Sequence, residues 1–331
     1  MPIKPYHQLI FITKLIVVTF YLLFIILNIS HFTIWSQITD ILADTTFHDR
    51  LPTVIQLFAD HHPHALRTSF IFPIYQMADI LGCDVTMFYS IVVLFLFVFM
   101  YQILVTILKG FGVSSTFMGL FVILFTLSFM MHGRISFAMF GNSLILYTLY
   151  AKSYASSPIG FFKFLFLLFI ALWCTSVSSG TFMVALGSII TFYSIQLLIE
   201  LPYIKKIYLL LFTVLLILLF LLSPIIIQFV NKNLDFYDGS FIHMLDHGMG
   251  KYILKYIYAI GIFILVLPFF VMKILKLLKK DQHFILPISM IFASLTIGLF
   301  GISSLVSGFP AYIVFLYLLL YKRKEKVMHL V

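Results

Sequence analysis

Residues 87–108 read MFYSIVVLFLFVFMYQILVTIL, an apolar run without one charged side chain. As a helix rising 1.5 Å per residue, it spans roughly 30 Å, the thickness of a bilayer's hydrocarbon core. The run is too long for a strand, and it has no polar face with which a soluble protein would meet water. The stretch therefore reads as a transmembrane helix.

Working outward, nine further stretches read as spans, the third and last of them short: Leu9–Ile29, Gly112–Met130, Ile135–Tyr150, Phe161–Val177, Thr181–Ile199, Ile207–Val230, Tyr252–Met272, Phe284–Ser304 and Val306–Tyr321. The first is too long for a signal-peptide core and lacks a small-x-small cleavage site, so it is read as the first span. Residues 69–81 are apolar but short and contain Pro73, as a re-entrant or interfacial helix would. The expected fold is all-α: one polytopic domain of about ten transmembrane helices, with outer loops at about 31–86 and 231–251. No soluble domain, low-complexity tract or internal repeat is visible.

Composition agrees. The chain has 331 residues, 62% hydrophobic and 10% charged, with 39 phenylalanines and a mean hydropathy of +1.12. Soluble domains carry roughly 25% charged residues, so a globule of this composition lacks the polar groups to face water. The net charge of +9 would suit nucleic acid, but the lysines stand in short clusters between apolar spans, where topology signals sit. The two cysteines, Cys83 and Cys174, form neither a metal spacing nor a disulfide framework.

Charge asymmetry orients the chain. With both termini cytoplasmic, the inner segments hold Lys4, Lys14, Lys109, Lys152, Lys163, Lys205, Lys206, Lys273, Lys276, Lys279, Lys280, Lys322, Arg323, Lys324 and Lys326. The outer segments hold Arg50, Arg67, Arg134, Lys232, Lys251 and Lys255, so the count is 15 against 6, the expected positive-inside bias. Nine aspartates and most histidines fall outside, leaving only Glu200, Asp281 and Glu325 as inner acids. Any chemical site is therefore expected on the outer face.

Five outer segments carry the candidate groups. In the first, Asp40, Asp44 and His48 share one face if the segment is helical, with Asp49 and Arg50 following. That face could hold a metal or a general base, or else it is the water side of an interfacial helix with Ile41, Leu42 and Phe47 in lipid. The stretch Asp60-His61-His62-Pro63-His64 lacks metal-ligand spacing, and with Arg67 it fits hydrogen bonding to a polar substrate or headgroups. Met131-His132-Gly133-Arg134 is a very short turn that holds Arg134 at the membrane surface. There its planar fork suits phosphate oxygens, or it snorkels to headgroups. Asn142 and Ser143 follow within the span, as ligand contacts or as interhelical hydrogen bonds.

The turn Ser176–Thr181 and the late segment Ser303–Pro310 place hydroxyls, Gly and Pro at membrane depth, bordering a polar cavity or forming plain turns. Between them, residues 231–251 carry Phe236, Tyr237, Asp238, His243, Asp246 and His247; the two aromatics suit sugar stacking, and the histidines share a helix face.

The order of an early outer loop, Arg134-Ile135-Ser136-Phe137-Ala138 opening a small-residue helix, and a later Ser178-Ser179-Gly180-Thr181 turn resembles bacterial polysaccharide polymerases of the Wzy and EpsG type. In the EpsG pattern a glutamine follows the arginine, where this chain has Ile135. A histidine-serine pair opens a later helix, where it has Ser178-Ser179. The first span and acidic outer loop are more loosely similar to GT-C membrane glycosyltransferases, although no Asp-Asp or Asp-x-Asp pair is present.

The resemblance implies an inner-membrane enzyme that transfers sugars from a polyprenyl-pyrophosphate-linked glycan, in contact with membrane lipid and other polysaccharide-assembly proteins. Arg134, Arg67 and Arg50 would then hold the pyrophosphate, with Asn142 as a further contact. Asp44, His132 or His247 would act as base, and Tyr237 and Phe236 would stack on sugar. It implies no cofactor, and no metal site is read from the sequence. Two other expectations compete: a transporter or flippase for an anionic solute, and a non-catalytic assembly or immunity protein.

Overall fold

The computed structural model describes residues 45–60, 65–113, 119–124, 133–200, 276–298 and 302–328, with isolated positions at 15, 18, 19, 42, 62, 117, 231, 235 and 274. Among the described residues the regular structure is helical throughout. The helices are α1 (Arg50–Ala59), α2 (Ala65–Leu81), α3 (Val85–Gly110), α4 (Gly133–Ser153), α5 (Phe161–Thr175), α6 (Ser179–Glu200), α7 (Ile285–Gly298), α8 (Ile302–Ser307) and α9 (Phe309–Met328). A 3-10 turn, Gln282–Phe284, leads into α7.

Local chemistry sets the boundaries. Pro52 falls in the first turn of α1, where its missing N–H has no partner to lose. Helix α2 runs on through Pro73, which gives up one backbone bond. It ends at Gly82, whose φ of +61° lets the Gly82 and Cys83 amides turn back onto the carbonyls of Asp79 and Ala78. Asp84 then caps α3, its carboxylate accepting from the Met87 amide at 2.9 Å. Gly112, at φ +83°, closes the other end of α3 in the same way.

Helix α4 is the hub: α3, α5, α6, α7, α8 and α9 all pack on it. Residues 136–139, 141–146 and 148–151 are buried, so it lacks the exposed face of an ordinary surface helix. Its contact with α5 needs Gly141, where an added Cβ would lie 2.7 Å from the Thr175 methyl carbon and 2.8 Å from the Ala171 carbonyl oxygen. Helices α6 and α7 form the most extensive pair and approach closely at Gly187, opposite Ala293. We call the end at which α4 begins the upper end.

Among the described residues, two helices, Val85–Gly110 and Ser179–Leu197, are long and apolar enough to cross a membrane. Exposed large apolar side chains, among them Phe95, Phe99, Phe162, Phe166 and Phe169, line the outside of the bundle.

The expected helices at Met87–Leu108, Ile135–Tyr150, Phe161–Val177 and Thr181–Ile199 coincide with α3 to α6 within a few residues. The short apolar stretch at 69–81 is the body of α2. The last pair differs from expectation. Helix α7 stops at Gly298, α8 is a separate short piece, and α9 begins only after Gly308, because Gly and Pro break the run twice. Residues 45–49 form a turn before α1, so His48 does not continue a helical face, and Leu42 is buried instead of facing lipid. The expected spans Leu9–Ile29, Ile207–Val230 and Tyr252–Met272 lie outside the described residues apart from isolated positions.

The Gly141 contact gives a direct test. A methyl group there meets backbone, which cannot swing away, so Gly141→Ala is expected to cost about 1–3 kcal/mol. Thermal unfolding in detergent should show a lowered midpoint for Gly141→Ala. Gly160→Ala, at a position with open space around it, should unfold like the parent.

Candidate functional site

Four polar constellations stand out among the described residues. The first lies at the upper end. Arg67, in the first turn of α2, donates from Nε to the Val177 carbonyl at 3.0 Å, in the turn between α5 and α6. One turn further, Phe70 meets Phe137 edge-on at 4.6 Å and Trp173 at 5.1 Å, while Tyr89 lies 5.5 Å from Phe137. Phe137 is three residues beyond Arg134, which stands in the first turn of α4. The Phe70–Phe137 contact thus brings the helix starts carrying Arg67 and Arg134 to the same end.

The hydroxyls of the adjoining turn are engaged locally. Ser176 donates to the Trp173 carbonyl at 2.6 Å, Thr175 to Leu172 at 2.9 Å, and Thr181 to Thr175 at 2.6 Å. These bonds add hydroxyl donors to carbonyls at the end of α5 that also accept the Ser176 and Ser178 amides. The Ser176–Thr181 turn is therefore a structural cap at these positions.

The second constellation sits deeper. Asn142, fully buried, donates from Nδ2 to the Ser307 carbonyl at 2.9 Å, across to the end of α8. Asn142 is nine residues into α4, about 13 Å below the upper end at 1.5 Å per residue. Gly308 packs against Ser294, itself nine residues into α7. The break between α8 and α9 is thus about halfway down the bundle. Its Ser307 hydroxyl bonds back to Ser304 at 2.8 Å, and Ser294 and Tyr312 share a bond of 3.2 Å. The Asn142 Oδ1 and the Ser136 hydroxyl are buried with no hydrogen-bond partner. Such groups are costly and rare in native interiors.

The third constellation holds α1 on α2. The Arg50 guanidinium is buried, pairs with the Asp79 carboxylate, and donates to Gln76 Oε1 and the Leu42 carbonyl, each at 3.3 Å. It also lies 5.4 Å from the centre of the Tyr75 ring. Arg67 is nine residues before Gln76, so Arg50 sits about 13 Å along α2 from the upper cluster.

The expected site residues divide accordingly. Arg67 and the backbone of Arg134 lie at the same end of the bundle, Asn142 lies below them, and Arg50 is bound within the hairpin. Asp44, His132, Phe236, Tyr237 and His247 lie outside the described residues. No group of three metal-ligating side chains occurs among the described residues.

A fourth cluster, at the lower end, carries residues the sequence reading passed over. His283 stacks on Phe111 at 4.7 Å, has Tyr154 at its edge, and reaches the Asp281 carboxylate from Nδ1 at 3.2 Å. Tyr154 donates to the Gln282 carbonyl at 3.0 Å. The readable signal was Asp281 before an apolar run, since its carboxylate caps the turn by accepting from the His283 amide. Burial against these rings holds the His283 imidazole below its ordinary value, even with Asp281 beside it.

The chain matches no family model, no curated protein and no solved structure.

Two outcomes are expected here. Asp79→Ala leaves a buried guanidinium without its counter-charge and should cost about 1–3 kcal/mol, read as faster limited proteolysis between α1 and α2. His283 has a folded pKa below its unfolded one, so its contribution to stability is complete above the unfolded value near 6.5. It declines as pH falls from there toward the folded value. A thermal midpoint measured from pH 7.5 to 5.5 should drop, and His283→Gln should flatten that part of the curve.

Proposed function

We propose that the chain is a multi-pass protein of the bacterial inner membrane, with about ten spans and both ends cytoplasmic. On this reading it transfers glycosyl units from a polyprenyl-pyrophosphate donor at the outer face. The product would be a surface polysaccharide built from repeat units, such as capsule or O-antigen. The positive-inside bias makes the upper end the outer one.

One observation carries the reading: Arg67 is fixed on the Val177 carbonyl at the same end as the helix start bearing Arg134, over the aromatic group of Phe70, Phe137 and Trp173. The planar guanidinium fork suits phosphate oxygens, and a pyrophosphate leaving group would supply them at this end. As the sugar–phosphate bond breaks, negative charge grows on the pyrophosphate, so cations there lower the barrier. The acceptor hydroxyl needs a base, for which Asp44, His132 and His247 are the candidates, with Tyr237 and Phe236 holding sugar. Asn142 would meet the substrate only if it reaches below the arginines. Arg50 serves here by fixing α1 on α2, and so the position of the helix that carries Arg67.

A second reading, a transporter or flippase for an anionic solute, draws on a different observation. The α8–α9 break lies halfway through the bundle beside a buried asparagine, as interrupted helices do in many transporters.

The test is complementation of a surface-glycan defect in the host lacking this chain, using variants that insert at parental levels. Arg67→Ala, Arg134→Ala and Asp44→Ala are each expected to abolish long glycan chains, with Arg134→Lys restoring part of them. Glycan of parental length in all three alanine variants would overturn glycosyl transfer. Accumulation of donor on the cytoplasmic side in an Asn142→Leu variant would favour the transporter reading.

A further inference from the structure

Helix α1 has three distinct faces at 100° per residue. Arg50 and Val54 are buried against α2. Asp49, Thr53, Gln56 and Asp60 form a polar stripe, tied together by the Gln56 amide donating to the Asp60 carboxylate at 3.0 Å and the Thr53 hydroxyl to the Asp49 carbonyl at 2.8 Å. On the opposite side, Leu51, Ile55 and Phe58, continued by Phe47, are exposed by 51%, 60%, 41% and 40%.

We propose that α1 lies flat in the outer-leaflet interface, with Leu51, Ile55 and Phe58 among the acyl chains and the Asp49–Asp60 stripe in water. Its partner is then lipid, not protein. A planar boundary between water and hydrocarbon is what calls for polar and apolar stripes on opposite sides of one helix. The third face is already filled by α2, so no further protein is needed to complete the hairpin.

Charge narrows the kind of lipid. The sole cation of α1, Arg50, is turned inward and paired with Asp79, leaving carboxylates on the water side. Anionic headgroups therefore add no attraction, and insertion depends on apolar area alone. The bundle's own exposed phenylalanines, Phe95 and Phe99 on α3 among them, would meet the same bilayer. This inference rests on the membrane reading and is independent of glycosyl transfer.

The experiment uses the full chain in phosphatidylcholine vesicles, with Cys83→Ser and Cys174→Ala as background. Single cysteines at 51, 55, 58, 49, 53 and 56 carry an environment-sensitive fluorophore. Labels at 51, 55 and 58 should emit further to the blue and lose most of their signal to shallow nitroxide lipids. Labels at 49, 53 and 56 should be quenched by aqueous iodide instead, and the pattern should be unchanged when phosphatidylglycerol is added.

A Phe95→Cys label is the control for the membrane itself. If Phe95→Cys is quenched by lipid but 51, 55 and 58 are shielded from both quenchers, protein covers the stripe and this inference fails alone. If Phe95→Cys is not quenched by lipid, the membrane reading fails with it. Should the cysteine-free background aggregate, Ile55→Trp and Gln56→Trp in the parent, compared in brominated lipid, give the same decision.

Discussion

Because α4 is walled in by six other helices, its polar groups cannot use water; several are satisfied inside the protein, while the Ser136 hydroxyl and Asn142 Oδ1 are left unpaired among the described residues. Most of the bundle's hydroxyls solve this within their own helix. Ser143 bonds back to Met139, Thr148 to Leu144, Ser188 to Val184 and Ser289 to Ile285. That pattern hides polarity and leaves helix–helix contacts to Gly and Ala. Asn142 differs, because its amide reaches across to the Ser307 carbonyl and so closes the break between α8 and α9. The interruption can exist at this depth because a side chain on the hub donates to one of its open carbonyls.

The apolar runs were legible because hydrophobic length is a local property. Residues 87–108 specify a helix whatever surrounds them, and α3 to α6 follow directly. Caps are equally local in origin, although the sequence reading did not single them out: Asp84 and Asp281 stand where a helix must start. The last two spans were less legible, because Ser303–Pro310 reads as one outer turn. Its depth is set by Asn142 and Ser294, both far away in sequence.

The arginines show the same division more sharply. Arg50 and Arg67 both stand in the first outer loop, and composition gives no reason to separate them. The difference lies in partners that only the tertiary structure supplies. Asp79 and Gln76 meet Arg50 from two turns or more beyond Arg67 on α2, whereas Arg67 meets a carbonyl more than a hundred residues away. The Ser176 and Thr181 hydroxyls looked available for the same reason, but both donate to carbonyls at the end of α5.

These contacts link the hairpin to the upper cluster mechanically. The Arg50–Asp79 pair fixes α1 on the C-terminal half of α2, while Arg67 fixes the N-terminal end of α2 on the α5–α6 turn. Helix α2 is thus held at both ends, and Phe70 between them packs on the hub through Phe137. A displacement of α1 in the interface would act on α2 as a lever, and the first groups to feel it would be Arg67 and the aromatic cluster. On the proposed reading, a lipid-borne donor arrives through the same leaflet in which α1 rests, so the element that meets the leaflet and the cation that meets the pyrophosphate belong to one rigid hairpin. A buried ion pair stabilises a fold weakly compared with apolar packing. Its value here is positional, because it holds an arginine-bearing helix in one place at a surface where lipid alone would leave it free to slide.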